Sequence, residues 1–545
     1  MKIKQTLIAF SAAVILFTTA GFVSYKNDFF EIAKQIEIFT TLYKELNMNY
    51  VDEVNPADLM NSAIEGMLDD LDPYTTYWTE QEIEDARINN TGEYTGIGAS
   101  VYSKDKKIII VEAYENSPAD QAGLKAGDQI IQIGDIKVAD FNEDAGELLQ
   151  GAPGTSVTVN YLRQGKPQTT TITRGEIEVN AVPFYKLIDN NVGYVVLSKF
   201  NNKASTETAA AVEDLKSQGA TSIILDLRGN PGGLLSEAIN VSNIFLPKGK
   251  LITTTKSVIE KYNKEYFTQK EPLDVQIPVA VLVNGRSASA SEIVAGSLQD
   301  YDRGVVVGAR SFGKGLVQRP KELSYGTQLK ITISRYYTPS GRCIQALDYW
   351  NRDEDGNPVR TNVADYNEFK TAAGRTVYDG GGVLPDILVE AAELSAITNA
   401  LLKDMAIFDF ATKYYYDHQV ESLNEFKFTS KDFQEFKKYL NTSGFTYKTS
   451  TEKAFEDAYL AAGKDDLQQE ISAAYANLAK TIDQSKAEKI EEKEKQITKQ
   501  IADELVKRYF YRDGLYNYHI DNNEAIAEAL KVLKDKNRYN AILTK

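Results

Sequence analysis

The chain is poor in the side chains that most often serve hydrolytic and metal sites. Its 545 residues include two histidines, His418 and His519, and a single cysteine, Cys343. One cysteine argues against a structural disulfide and against thiolate zinc sites, which need a partner or several ligands. Both histidines lie in a charged region without a nucleophile pattern, so they are poor candidates for a Ser-His-Asp triad, and a Cys-His pair has no local support.

Basic residues are outnumbered. The chain has 77 acidic and 61 basic residues, a formal net charge of −16. This balance disfavours nucleic acid or anionic lipid as the main partner. Apolar residues at 43% and charged residues at 25% are typical of a globular protein, and the length predicts roughly three or four domains.

Long apolar runs are missing except at the N-terminus. Lys2 and Lys4 precede the uncharged run Leu7 to Val23, which predicts an export signal over residues 1–24. Two interpretations remain open, a cleaved signal peptide with Thr18-Thr19-Ala20 as a weak cleavage site, or a short anchor in the inner membrane. We therefore expect the rest of the chain to work in the periplasm of a bacterial cell envelope, with the membrane contacted only through this segment.

Apolar periodicity divides the two ends of the chain from its middle. Over residues 28–90, spacings of three and four predict two amphipathic helices, the second stopped by Asp72-Pro73-Tyr74, as a packing or dimerisation element. Residues 391–545 are predicted to form a helical C-terminal extension. Its interleaved lysines and glutamates indicate a solvated helix face or, alternatively, a surface for a partner or a second subunit.

Residues 91–176 indicate a small β-rich module. Lys107 to Val111 is a strand candidate, Ser117-Pro118-Ala119 opens a short helix with a capping serine, and 156–162 with 169–173 predict a hairpin. The module resembles a PDZ domain, and the segments that carry the resemblance are Gly96-Ile97-Gly98, Ser117 to Asp128 and Gly151-Ala152-Pro153-Gly154-Thr155.

The resemblance implies a peptide-binding loop in this module. In a PDZ domain, amides of a glycine-bearing loop bind the terminal carboxylate of a peptide, while the adjacent strand edge pairs with the peptide. Gly96, Ile97 and Gly98 would form that loop. The alternative is that these glycines only permit a tight turn.

Strands and helices alternate within residues 177–390. Apolar strands are predicted at 193–197, 222–227, 277–283 and 305–307, with helices at 205–216, 234–245 and 290–298 between them. This order predicts an α/β core of parallel strands covered by helices. A further strand is predicted from Thr327 to Tyr336.

The loops of this core carry a serine and a lysine suited to catalysis. Serine is a weak nucleophile until a base takes its proton, and lysine can do so only when burial lowers its pKa toward neutrality. Lys314 stands between Gly313 and Gly315 after a buried strand, and the serines of Ser287-Ala288-Ser289-Ala290-Ser291-Glu292 precede a helix. Each pattern alone also fits an ordinary helix cap or loop.

An oxyanion site is predicted beside these residues. The amide of Ala290 would lie at a helix N-terminus, where developing negative charge is stabilised. A second donor would come from the turn Gly229 to Gly233, at Gly232 or Gly233, and spacing cannot separate the two. Chemistry alone also cannot separate Ser289 from Ser287 or Ser291.

Three motifs together resemble the C-terminal processing, or tail-specific, serine peptidases over residues 30–390. They are Asp226-Leu227-Arg228-Gly229-Asn230-Pro231-Gly232-Gly233, Ser287 to Glu292, and Phe312-Gly313-Lys314-Gly315-Leu316-Val317-Gln318. The resemblance implies Ser289 as nucleophile, Lys314 as general base and Gln318 as the residue that orients the lysine. It also implies a crotonase/Clp-protease-like α/β core, no metal or other cofactor, and a structural role for Asp300.

The resulting hypothesis is an envelope endopeptidase that processes or degrades proteins from C-terminal ends. Its partners would be protein substrates with apolar C-termini, with an adaptor protein possible, and we expect self-association into a homo-oligomer. The alternative from a different class is a PDZ-type binding adaptor whose peptidase core is inactive. A third hypothesis is that the protein regulates cell-wall enzymes by degrading them. It differs from the first hypothesis in the substrate and not in the chemistry.

Overall fold

A computed structural model describes residues 29–104, 106–141, 145–354, 356–390 and 394–544. The chain divides into two compact units, one comprising residues up to Thr79 with Pro320–Ile331, the other comprising Glu80–Arg319 with Thr332–Lys545. The export signal expected over 1–24 lies outside the described residues. Within the described ranges, no helix is both long and apolar enough to span a bilayer.

The first unit contains the two predicted N-terminal helices. They are α1 (29–49) and α2 (Pro56–Asp69), and the strand β1 (Thr76–Trp78) pairs antiparallel with residues 328–330. Asn55 caps α2, because its side chain accepts a hydrogen bond from the amide of Ala57 at 2.9 Å. The apolar stripe of α1 is exposed, with Ile36 at 61%.

The second unit begins with the β-rich module. After α3 (Glu80–Thr91), a sheet of order β3-β4-β5-β7-β8, with β6 on β5, packs over a core that includes Ile110, Leu124 and Val159. The helix α4 begins after Ser117, as predicted. The elements are β2 (Glu93–Gly96), β3 (Ala99–Lys104), β4 (Lys107–Ala113), α4 (Pro118–Gln121), β5 (Gln129–Ile133), β6 (Ile136–Lys137), β7 (Ser156–Arg163), β8 (Lys166–Thr173) and β9 (Gly175–Glu178).

The α/β core follows with the predicted alternation. Its central strands are buried along their whole length, which explains their continuous apolar sequences. The elements are β10 (Phe184–Ile188), β11 (Val192–Val196), α5 (Ala204–Ser217), β12 (Ser222–Asp226), α6 (Leu235–Phe245), β13 (Leu251–Lys256), β14 (Lys264–Phe267), β15 (Val279–Val283), α7 (Ala290–Asp300), β16 (Val305–Gly308), β17 (Leu316–Glu322) and β18 (Gln328–Tyr337).

Short strands and a long helical region complete the chain. The helical C-terminal extension is confirmed from residue 396 onward. These elements are β19 (Leu347–Arg352), β20 (Pro358–Arg360), β21 (Glu368–Lys370), β22 (Thr376–Tyr378), β23 (Ile387–Leu388), α8 (Ala396–Lys403), α9 (Ala406–Asp417), α10 (Ser430–Ser443), α11 (Ser450–Lys464), α12 (Gln468–Glu492), α13 (Glu494–Asn522), α14 (Glu524–Lys534) and α15 (Lys536–Leu543).

The six-stranded sheet has the order β10-β11-β12-β15-β16-β23, parallel except for β10. One face is covered by α5, α6 and α7 and the other by α14 and α15. Because parallel strands end at one edge, the segments after β12, β15 and β16 meet there. These segments carry Gly229 to Gly233, Ser287 to Ser289 and Phe312 to Gly315.

Candidate active site

The three neighbouring serines have different surroundings. Ser287 is buried and its hydroxyl donates to the carbonyl of Leu227 at 2.8 Å. Ser291 is also buried and donates to the carbonyl of Asn230 at 2.9 Å. Ser289 is partly exposed at the start of α7. The structure therefore distinguishes three hydroxyls that the residue pattern alone could not separate.

Ser289 has a strained backbone. Its φ of 55° and ψ of −112° place it in a region that L-residues rarely adopt, at a cost of about 1–3 kcal/mol. Such a conformation persists only where surrounding contacts fix it. The Ser289 amide donates to the Glu292 carboxylate at 2.8 Å, one such contact.

Glu292 joins the serine segment to the lysine segment. Its side chain is fully buried, and the same oxygen, Oε2, accepts hydrogen bonds from the amides of Ser289 at 2.8 Å and Lys314 at 2.9 Å. The other oxygen, Oε1, accepts from the amide of Gly313 and the hydroxyl of Ser311. Burial raises the pKa of Glu292, while these four donors act in the opposite direction.

Tyr336 joins the same two segments from the carbonyl side. Its buried hydroxyl lies 2.6 Å from the carbonyl oxygen of Lys314 and 3.1 Å from that of Ser289. The amide of Tyr336 also donates to the carbonyl of Gly315 at 3.0 Å. The backbones of Ser289 and Lys314 are thus linked through both their amides and their carbonyls.

Lys314 is partly buried and lies on an irregular segment just before β17. Gln318 follows on β17, where its side-chain amide donates to the Thr332 hydroxyl at 3.1 Å. The structure therefore brings the backbone of Lys314 beside that of Ser289, and Gln318 lies four residues further along the chain.

The glycine turn lies against the start of α7. A Cβ atom on Gly232 would lie 2.7 Å from the carbonyl oxygen of Ala288 and 2.9 Å from the amide nitrogen of Ala290, so no side chain fits there. Gly232 donates its amide to the Asn230 side chain at 2.9 Å. Gly233 has φ of 147°, and its neighbours Gly232 and Leu234 carry the bridge to Phe200.

A network of hydrogen bonds and an ion pair lies next to this turn. Arg228 donates to the Asp226 carboxylate and, at 2.6 Å, to the side chain of Asn523. Asn523 caps α14 by accepting from the amides of Ala525 and Ile526. Tyr194 donates to Asp226 at 2.7 Å, and burial, followed by the charge of Asp226, raises the pKa of Tyr194. The extension is thereby hydrogen-bonded to the turn.

Asp300 and the two histidines have other contacts. Asp300 is buried, pairs with Arg342 at 2.8 Å and accepts from the amide of Ser340, which fits the structural role expected for it. His418 stacks on Tyr414 with ring centroids 3.8 Å apart. His519 lies 2.9 Å from Asp503. The contacts described for both histidines lie within the extension.

The loop Gly96-Ile97-Gly98 has its carbonyls engaged by the module itself. The Ile97 carbonyl accepts from the amide of Ala119 at 2.7 Å, and the Gly98 carbonyl accepts from Tyr114 at 2.9 Å. Gly98 has φ of 71°, and a Cβ there would lie 2.4 Å from the Cβ of Ser117. Glycine is therefore required for close packing as well as for the turn.

A chamber of about 1020 Å³ opens between the module, the sheet edge and α13. Its walls include Ala99 beside the glycine loop, Lys199 and Gly229 at the sheet edge, and Arg512 and His519 on α13. Arg512 also holds the module, because its guanidinium donates twice to Glu112. No group of residues in the described ranges is arranged to hold a metal ion.

Sequence reasoning gave no role to Glu292, Tyr336 or Asn523. The spacing of Ser289 and Glu292 is that of a capping box, so a local signal for Glu292 was present. The role of Tyr336 depends on contacts with residues far away in sequence. No local pattern indicates them.

Four segments match described protein families. Residues 191–349 match peptidase family S41, and 95–173 match the PDZ domain. Residues 18–82 match the activating protease CtpB N-terminal domain, and 397–533 match the C-terminal helical domain of a probable PDZ-protease.

Two bacterial proteases are similar to this chain over most of their own length. A carboxy-terminal-processing protease of Bartonella bacilliformis is 36% identical over 323 residues, 58% of this chain and 73% of that protein. The carboxy-terminal processing protease CtpA of Bacillus subtilis is 32% identical over 388 residues, 70% of this chain and 81% of that protein. Among solved structures, the photosystem II D1 C-terminal processing protease matches with 26% identity and a TM-score of 0.36, covering 65% of this chain and 88% of that one.

Proposed function

Because the chain belongs to the carboxy-terminal processing proteases of peptidase family S41, with a PDZ domain and a helical C-terminal domain, we propose that Ser289 and Lys314 form its catalytic dyad. One observation carries the proposal. A single oxygen of buried Glu292 accepts from the amides of both residues, at 2.8 and 2.9 Å. Residues distant in sequence are thereby held side by side at the edge where the parallel strands end.

The chemistry is acyl transfer through a covalent intermediate. The Ser289 hydroxyl attacks the scissile carbonyl while the neutral amine of Lys314 takes its proton. The protonated lysine then gives that proton to the leaving amine, and the peptide bond breaks. Water, deprotonated by the same amine, hydrolyses the acyl-enzyme. Ser289 serves as the nucleophile because it is partly exposed, whereas the hydroxyls of Ser287 and Ser291 donate to the carbonyls of Leu227 and Asn230.

The oxyanion donors in this proposal are the amides of Ala290 and Gly233. Ala290 is the first residue of α7, where backbone amides have no partner within the helix. Gly232 lies closest to α7, but its amide donates to Asn230, so the remaining choice in the turn is Gly233. Gln318, four residues after Lys314 on β17, orients the lysine in this mechanism.

The PDZ domain would bind the C-terminal carboxylate of the substrate through the loop Gly96-Ile97-Gly98. The chamber supports this role, because Ala99, next to the loop, and Gly229, in the oxyanion turn, line the same space. A polypeptide held at its end could therefore extend along the chamber from Ala99 to Gly229, the first residue of the oxyanion turn. Substrates with apolar C-termini suit a PDZ pocket.

We further propose an envelope location, with residues 1–24 as signal or anchor. Self-association would use α1, whose apolar side chains are exposed, with Phe30 at 70% and Ile36 at 61%. The C-terminal helices offer a surface for an adaptor protein. A single molecular mass equal to the monomer across the micromolar range would exclude the self-association.

The test combines active-site labelling with cleavage. A fluorophosphonate should label Ser289 in the full chain, and an unstructured protein with an apolar C-terminus should be cleaved. Ser289→Ala should abolish both, and Lys314→Ala should lower both by roughly 10⁴-fold. Amidation of the substrate end should slow cleavage but leave labelling unchanged. Peptide binding without labelling or cleavage, with or without envelope extract, would support the adaptor alternative.

A further inference from the structure

The segment that carries Lys314 has no secondary structure of its own. Residues 310–315 form neither helix nor strand, so their position depends on individual hydrogen bonds. Gly315 donates its amide to the Gln345 side chain at 2.6 Å, and Gly313 accepts from the amide of Ala346 at 3.0 Å. Hydrogen bonds of this kind, together with those to Glu292, hold the lysine segment against the serine segment.

The carbonyl of Lys314 accepts a hydrogen bond from the hydroxyl of Tyr336. At 2.6 Å this is the principal bond, and the single phenolic proton is shared with the Ser289 carbonyl at 3.1 Å. Ser289 needs such a contact, because its φ of 55° is unfavourable without support. The phenol therefore touches the backbone of both proposed dyad members at once.

The backbone and side chain of Tyr336 act on consecutive residues. Its amide donates to the Gly315 carbonyl and its hydroxyl to the Lys314 carbonyl. Tyr336 is 1% exposed and belongs to β18, so its ring is held in place by the strand and by the packing around it. The direction in which the Lys314 side chain leaves the backbone is thus set by a rigid strand.

We propose that Tyr336 is a positioning residue that sets the distance and angle between Ser289 and Lys314. The inference rests on the proposed function of those two residues. The contacts described for its hydroxyl are with the carbonyl oxygens of Ser289 and Lys314. Losing its hydroxyl should leave substrate binding intact and slow acylation, because small misplacements of reacting groups cost up to about 100-fold in rate.

The test is Tyr336→Phe in the full chain, measured by the rate of Ser289 labelling with a fluorophosphonate and by cleavage kinetics. We expect labelling and kcat to fall by about 10- to 100-fold with KM nearly unchanged. The matched control is Tyr301→Phe, which removes a hydroxyl that donates to the Leu251 carbonyl at 2.8 Å at the far end of α7. The control should lose a similar amount of thermal stability and keep its labelling rate.

Rescue separates positioning from general packing. para-Aminophenylalanine at position 336 carries two N–H donors, so it should restore labelling to within a few-fold of the unmodified chain. A labelling rate in Tyr336→Phe equal to that of the unmodified chain overturns the inference. Failure of the unmodified chain to label overturns the proposed function instead.

A second variant covers the case in which Tyr336→Phe does not fold. A ring-fluorinated tyrosine at position 336 keeps the shape and the hydrogen bond, but its phenol ionises at lower pH. Ionisation places negative charge against two carbonyl oxygens, so labelling should be lost at lower pH than in the unmodified chain. Coincident alkaline limbs of the two pH profiles would overturn the inference.

Discussion

The two faces of the six-stranded sheet are covered by helices of different origin. On one face, Ile223 and Leu225 pack against α5, α6 and α7, which lie in the chain between the strands themselves. On the other face, Ile224 and Leu282 pack against α14 and α15, near the end of the chain. Both clusters consist of buried apolar side chains.

The comparison shows that the α/β core is not complete at residue 390. A parallel sheet needs cover on both faces, and here the second cover comes from residues 524–543. Tyr539 reinforces it by accepting from the amide of Val279 at 3.0 Å. The same helices reach the proposed site through Asn523 and Arg228. The extension therefore contributes to the core as well as to the chamber.

The largest expected effect on stability comes from a truncation that removes the helices covering the second face. Ending the chain after Asn522 removes α14 and α15 and exposes the apolar cluster beneath them. We expect the core to lose its cooperative unfolding transition and the protein to aggregate, measured by urea unfolding and light scattering.

The control truncation begins the chain at Tyr50 and removes α1, whose apolar side chains are already exposed. This shortened chain should keep its unfolding transition. If the chain truncated after Asn522 unfolds like the full chain, α14 and α15 are not needed for the stability of the core.

The sequence predicted the first face and missed the second for a physical reason. Strands such as 222–226 and 279–283 are buried on both sides. Their apolar runs therefore indicate a sheet covered on both faces, but they do not indicate which helices cover it. Helices between strands are tied to the sheet by short connections, which makes their partner predictable. α14 has the amphipathic pattern of any packed helix, and only tertiary contacts decide where it packs.

The site divides in the same way. That the segments of Ser289, Lys314 and the glycine turn meet at one edge could be predicted, because their motifs are local and each segment follows a parallel strand. The contacts that fix them are not local: the Glu292 carboxylate reaches Lys314, and Tyr336 comes from β18. A side chain that bridges two loops leaves no periodic pattern in its own segment.

Matched alanine substitutions should show that both faces are core. Leu298 on α7 and Ile526 on α14 are each fully buried. Leu298→Ala and Ile526→Ala should each lower the free energy of unfolding by about 2–5 kcal/mol, measured by urea unfolding of the full chain. Leu460→Ala, at a 60% exposed position on α11, should change it by about 0.5 kcal/mol or less. A value for Ile526→Ala as small as that of Leu460→Ala would contradict a shared core.

The smallest expected effect is electrostatic. It is a difference between the two faces in how an aspartate's contribution to stability depends on pH. On the first face, burial would raise the pKa of Asp274, but hydrogen bonds from Lys216 and from the amides of Gln276 and Ile277 lower it to about 2. On the second face, Asp189 pairs with Lys534 of α14, whose side chain is 56% exposed. A surface pair of that kind contributes about 0–1 kcal/mol.

The Asp274 contribution has a defined sign. Because its pKa in the folded chain lies below the value of about 3.9 for an unfolded aspartate, the stabilisation is present above pH 4 and is lost as the pH falls toward 2. Asp274→Asn should therefore cost about 1–2 kcal/mol at pH 7 and almost nothing near pH 2, measured by urea unfolding across that range. Asp189→Asn should give a small difference at both pH values. A loss for Asp274→Asn that does not depend on pH would mean that the Asp274 contacts stabilise through shape rather than through charge, and that the two faces do not differ in this respect.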